Sequence, residues 1–362
     1  MQLDRSILED AVHNSIWTEE DEEGFLFFRR FTPSQMEVYS DDVIFCLMSR
    51  CSTGVYLLFQ TTGNKISLVC KKTSVLEILP TVLKELGISR LLDMGKELKD
   101  NIQQYGKGRI HIEDSFDVFI DDVKVAEPKP KSGKIRISFR NPKHKPVTVK
   151  ICFPIFAEIG IKEIRCNGQT KAINSGKEKM YCFGDSITQG FVAGSPSCSY
   201  AARLADALNL DALNQGVGSY YFMDESLVGL ETLPKPKLIT VAYGTNDWTT
   251  MPDIETIRLN IRQYFNKLNK LFPDTPILVI TPIWRGDMDV LQPSGSLEDV
   301  IKVIEEETSV YENITIIDGF DISSHNIEDY ADGFLHPNKG GFGIMAEGIV
   351  KEIEAKGINL SI

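Results

Sequence analysis

Met180-Tyr181-Cys182-Phe183-Gly184-Asp185-Ser186-Ile187-Thr188-Gln189-Gly190 decides how the second half of the chain is read. The apolar run 180–183 has the length and composition of a buried strand. A glycine-flanked serine follows it and opens a helix. That order sets a hydroxyl at the carboxyl edge of a sheet, where open α/β sheets bind their ligands. A serine hydroxyl is a weak nucleophile until a base takes its proton. The motif therefore needs a base and donors to a developing anion from elsewhere in the sequence.

From about residue 177, strand-like and helix-like stretches alternate. Candidate strands are 179–183, 211–214, 237–242, 276–281 and 313–318, and candidate helices are 199–209, 254–271, 297–307 and 341–356. This alternation predicts a parallel sheet with helices on both faces. Three further polar loops follow strand ends: Asn214-Gln215-Gly216-Val217-Gly218-Ser219, Gly244-Thr245-Asn246-Asp247 and Asp332-Gly333-Phe334-Leu335-His336-Pro337-Asn338. Four such loops at one sheet edge form a cleft.

The chemistry of acyl transfer assigns these residues roles. Ser186 attacks a carbonyl, and His336 takes its proton and returns it to the leaving alcohol. A tetrahedral oxyanion needs donors aimed at it. The candidates are the backbone N–H of Ser186 at a helix start, the N–H of Gly218 or Ser219, and the Asn246 side-chain amide. Asp185 and Asp247 read as acceptors of loop backbone N–H groups. Trp284, Trp248 and Tyr220, with Tyr221, are candidates to stack on substrate, core packing being the alternative. Arg285 reads as a solvated residue or an anion ligand. The stretch 184–190 lacks the lysine of a phosphate-binding loop and the spacing of a dinucleotide fingerprint.

On these residues the second half resembles the SGNH (GDSL-type) esterase superfamily, whose four blocks centre on Ser, Gly, Asn and His. Gly184-Asp185-Ser186, the stretch 214–219, Gly244-Thr245-Asn246-Asp247 and the stretch 332–336 stand in the family's order across about 177–357. The resemblance implies a flavodoxin-like three-layer α/β/α fold and a hydrolase without metal or cofactor. Two departures stand out. Ser219 occupies the place of the family's glycine, and three residues rather than two separate Asp332 from His336. Asp332 is the expected orienter of the imidazole, with Asp329 or a backbone carbonyl (a Ser–His dyad) as alternatives.

The first half has a different period. Alternating runs 55–59 and 66–70 around Gly63-Asn64, 116–120 and 123–125, and 135–139 and 147–151 predict three hairpins. Many short antiparallel strands predict an all-β sandwich or jelly roll over 1–175. Leucines at helical spacing in 75–105 predict a helical insertion. A small polar linker, Asn174-Ser175-Gly176-Lys177, leads to the catalytic domain at 177–362. This arrangement resembles the two-domain carbohydrate acetylesterases.

The chain has 362 residues, is 42% hydrophobic and carries a net charge of -12, which argues against a general nucleic-acid binder. No stretch approaches the length of a membrane span. Seven scattered cysteines and a start without a signal-peptide pattern predict reduced thiols and a cytoplasmic location. The expected activity is a serine ester hydrolase acting on a small acylated substrate, an acetylated sugar or oligosaccharide, with a homo-oligomer possible. Lipase-, lysophospholipase- or thioesterase-like hydrolysis, and a non-catalytic carbohydrate-binding protein, are the alternatives.

Overall fold

The computed structural model describes residues 5–75 and 115–358. Most of the predicted helical insertion at 75–105 lies outside the described residues. The first half lays down β1 (Val12–His13), β2 (Trp17–Glu20), β3 (Leu26–Arg29), β4 (Tyr56–Thr61), β5 (Lys65–Ser74), β6 (Asp117–Ile120), β7 (Val123–Ala126), β8 (Lys134–Ser138), β9 (Val147–Cys152), β10 (Ala157–Cys166) and β11 (Thr170–Ala172). They form two antiparallel sheets. One has the order β1-β4-β9-β6-β7 with β11 also on β4, and the other β2-β3-β10-β5-β8. Their inner faces close on one apolar cluster that includes Phe28, Leu57, Phe59, Leu68, Phe116, Ile151 and Ile161. Alternation drives this, since every second side chain of a strand faces inward: β8 is buried only at Ile135 and Ile137.

Two of the three expected hairpins are corrected. β6 and β7 pair across Asp121-Asp122 as predicted. By contrast, β4 and β5 lie in different sheets, and so do β8 and β9. These connections arch over the sandwich edge instead of turning back in one sheet. Two asparagines, one from outside the arches and one within the second, hold them. Asn167 Oδ1 accepts from the Asn64 and Lys65 N–H groups, and Asn141 Nδ2 donates to Gly63 O and Lys145 O.

The second half contains β12 (Lys179–Gly184), β13 (Asp211–Gly216), β14 (Leu238–Ala242), β15 (Ile277–Ile280) and β16 (Ile314–Ile317). All pair in parallel, in the order β13-β12-β14-β15-β16. This is the 2-1-3-4-5 order of flavodoxin-like folds. Helices Tyr200–Ala207 and Lys339–Ala355 pack together as one layer, and Ile254–Leu271 and Leu297–Thr308 as the other. The fold is thus a three-layer α/β/α domain preceded by an all-β sandwich.

The two apolar clusters do not divide where the chain does. Helices Pro33–Tyr39 and Val43–Arg50 interrupt the sandwich, and Phe31, Tyr39, Ile44 and Met48 join the core of the parallel sheet. They pack beside Val217, Tyr220 and Phe222, which follow β13.

Candidate active site

The site is built from the turns that follow β12, β13 and β14 and from the segment after β16. Ser186 begins the one-turn helix Ser186–Gln189, and Asp185 caps it by accepting the Ile187 N–H at 2.8 Å. Gly184 allows the tight entry: a Cβ there would stand 2.0 Å from Thr188 Oγ1 and 2.7 Å from Ala242 O. The Ser186 N–H, first of the helix, has no acceptor among the described residues. Asn214 ties the next turn to this helix, donating to Thr188 O at 2.7 Å and accepting from the Gly216 N–H at 2.9 Å.

Ser186 Oγ stands 2.8 Å from His336 Nε2, and His336 Nδ1 stands 2.6 Å from Asp332 Oδ2. Asp332 is fully buried and His336 is 9% exposed. The extra residue between them is absorbed by the loop wrapping its own carboxylate. Asp332 Oδ1 accepts the N–H groups of Phe334, Leu335 and His336 at 2.9–3.1 Å. Burial alone would raise the Asp332 carboxyl. The His336 charge and these hydrogen bonds outweigh it and hold the group below its ordinary value. The Asp329 carboxylate accepts from Ser324 Oγ instead and does not meet the imidazole. Phe191 packs edge-on against the other side of the ring, with centroids 4.7 Å apart.

Of the two backbone candidates on the turn after β13, the structure separates their uses. The Gly218 N–H is taken by Gln189 Oε1 at 2.8 Å, so the expectation that it faces the substrate is corrected. Ser219 has φ +66, a left-handed backbone, and its N–H has no acceptor among the described residues. Asn246 donates one amide hydrogen to Tyr220 O at 2.9 Å, and its second hydrogen has no acceptor among the described residues. Asp185 and Asp247 both accept from loop N–H groups; Asp247 takes those of Phe222 and Gly244. Burial pushes their carboxyls up, to about 6 for Asp185 and about 7 for Asp247.

The aromatic candidates are mostly core. Trp248 is 0% exposed; its Nε1 donates to Gly295 O, and the Arg285 guanidinium lies 4.7 Å from its ring centre. Tyr220 is buried edge-on against Tyr39 and Phe45. Neither presents a ring to a substrate, because helices 33–39 and 43–50 and the loop at 285–295 cover them. Arg285 is buried too, paired with Asp287 and bonded to Thr245 Oγ1 at 2.9 Å, so it is neither solvated nor open to an anion. Trp284 is half-buried, stacked on His325 with centroids 6.1 Å apart and tilted against Tyr330 at 5.0 Å. Gln189 and Phe191, which touch the site directly, were not singled out by sequence, although both lie in or beside the opening motif.

Serine, histidine and carboxylate thus stand in one hydrogen-bonded line at the carboxyl edge of the α/β domain, the set of groups that acyl transfer requires. Residues 182–344 match the GDSL-like lipase/acylhydrolase family. No curated protein matches the chain. Among solved structures, the salicylyl-acyltransferase SsfX3 from a tetracycline biosynthetic pathway is similar with a TM-score of 0.77 at 18% identity, over 97% of this chain and 96% of that one. A family two carbohydrate esterase from Clostridium thermocellum, in complex with cellohexaose, is similar with a TM-score of 0.61 at 14% identity, over 95% and 98%. The acetyl xylan esterase Est2A from the rumen bacterium Butyrivibrio proteoclasticus has a TM-score of 0.57 at 15% identity, over 96% and 95%. These likenesses span both halves of the chain and concern its fold.

Proposed function

We propose that this protein is a serine ester hydrolase that removes acetyl groups from carbohydrates. The observation that carries the reading is the line Ser186 Oγ to His336 Nε2 at 2.8 Å and His336 Nδ1 to Asp332 Oδ2 at 2.6 Å. His336 takes the Ser186 proton as Oγ attacks the ester carbonyl, and Asp332 holds the imidazole tautomer and balances the imidazolium. The negative charge that develops on the carbonyl oxygen meets the N–H groups of Ser186 and Ser219 and the free amide hydrogen of Asn246. Collapse expels the sugar hydroxyl, which His336 protonates, and leaves an acetyl group on Ser186. Water, deprotonated by His336, then releases acetate. The likeness to carbohydrate esterases over both halves supports a sugar as the alcohol.

The likeness to a salicylyl-acyltransferase favours a second reading, in which an alcohol other than water resolves the acyl-enzyme. Acetate release from acetylated xylo-, manno- and cello-oligosaccharides tests the first reading. Acyl-ester product formed at the expense of acetate when alcohols are added would favour the second. Hydrolysis of p-nitrophenyl acetate by Ser186→Ala should fall by about 10⁴-fold or more. Equal rates for variant and wild type would remove Ser186 as nucleophile.

A further inference from the structure

We infer that Arg30, in the sandwich half of the chain, is a positioning residue for the anion-binding side of the Ser186 site, holding the carboxyl end of β13 so that the Ser219 N–H and the Asn246 amide are aimed. The inference rests on the acyl-transfer reading proposed above.

Arg30 is 1% exposed, and its guanidinium makes four hydrogen bonds, all to backbone carbonyls. Nη1 donates to Asn214 O at 2.7 Å and to Gly216 O at 2.8 Å. Nε donates to Cys51 O and Nη2 to Met48 O, both at 2.9 Å. The plane lies 4.4 Å from the centre of the Phe31 ring. β13 is an edge strand of the parallel sheet. Residues two apart on an edge strand turn their carbonyls to the same side, where a neighbouring strand would bond them. Arg30 stands in that place for residues 214 and 216. The planar five-donor fork suits this task, whereas an ammonium is a point charge.

The residue between them is held from the same side. Gln215 Nε2 donates to Arg30 O, and Gln35 Nε2 donates to Gln215 Oε1 at 2.8 Å. Beyond Gly216 the chain makes the turn that carries Ser219. Its Val217 N–H goes to Gly184 O, and its Gly218 N–H goes to Gln189. Tyr220 O then holds the Asn246 amide. A shift of the strand end therefore moves two of the three proposed oxyanion donors together, and the histidine side is not touched. Four neutral acceptors are a costly setting for a buried charge. Burial pushes the guanidinium down to about 10, which leaves it protonated at neutral pH.

The test uses the full chain with Arg30→Met and Arg30→Lys, active sites being counted by stoichiometric p-nitrophenol release from diethyl p-nitrophenyl phosphate. Acylation of each counted site by p-nitrophenyl acetate should slow by about 10- to 100-fold in Arg30→Met, since a misplacement of about 1 Å can cost that much. Ground-state binding should change less than threefold, the acid limb of the pH–rate profile should stay in place, and Arg30→Lys should recover part of the loss. A folded variant whose acylation rate per site stays within twofold of wild type overturns the proposal. So does a loss that comes with a displaced acid limb, or loss of the fold in both variants. Ser186→Ala is measured in parallel: if it keeps wild-type activity, the ester-hydrolase reading itself fails, whatever Arg30 does.

Discussion

The loop that carries His336 and the turn that carries Ser219 lie at the same sheet edge, yet they are held by different means. The His336 loop is held from within. Asp332 accepts three N–H groups from the four residues that follow it and the imidazole as well, and the Ala331 N–H bonds to His336 O at 2.8 Å. The Ser219 turn is held from afar, by Arg30, Gln35 and Met48, which stand about 180 residues earlier in the chain. The side proposed to handle the proton is thus a local motif, and the side proposed to bind the anion depends on how the two halves pack.

The strongest way to break this contrast is at the carboxylate. Asp332→Asn removes the charge while keeping the shape, and should lower kcat by about 10³- to 10⁴-fold. A loss under tenfold, measured on p-nitrophenyl acetate, would mean that the histidine needs no orienting carboxylate. On the other side, Asn246→Ala removes one proposed oxyanion donor and should cost about 10²- to 10³-fold, mostly in kcat. A change seen only in KM would place the amide on the ground-state substrate instead.

The seam between the halves can be tested by acid. Asp211 opens β13 and accepts from Lys179 Nζ at 2.8 Å, Asn14 Nδ2 at 2.9 Å and Tyr56 Oη at 3.1 Å. Burial alone would raise its carboxyl, but these partners hold it below the ordinary 3.8. A group depressed in the folded state adds stability above its unfolded pKa and loses it as pH falls through the folded one. Asp211→Asn should therefore lower Tm at pH 7, by about 5 °C, and should flatten the fall of Tm between about pH 5 and pH 2. An unchanged acid dependence would show that the seam is indifferent to this charge. The smallest effect belongs to Ser219→Gly. Glycine accepts the φ of +66 without strain but adds freedom to the unfolded chain. Activity within about threefold of wild type is expected if only the backbone N–H acts. A tenfold loss would assign a part to the hydroxyl.

Legibility followed the same line between local and distant. The five parallel strands were readable because each is a short apolar run between polar turns, and the loops with Ser186, Asn246 and His336 follow their ends. Asp332 was readable despite its spacing, since a carboxylate four residues before the imidazole can fold back on it. The errors have a common origin. A period of two shows which side chains face a core, but not whether the next strand pairs in the same sheet or crosses to the other, so two arches read as hairpins. Trp248 and Tyr220 sit beside site loops in sequence, which left stacking on substrate and core packing both open, and Arg285 read as solvated or as an anion ligand; neighbours from other segments bury all three. Arg30 carried no signal, standing beside an apolar strand with nothing to mark its partners.

The parallel α/β half, the order of its four loops and the candidates for moving a proton were legible in the sequence alone, because these follow from hydrophobic period and from contacts within a few residues. Only the tertiary structure decided which N–H of the 218–219 pair is free, which aromatics are buried, and that the sandwich half grips the strand before the Ser219 turn. Those outcomes depend on hydrogen bonds and packing between segments far apart in the chain, and local pattern does not encode which distant partner a group will meet.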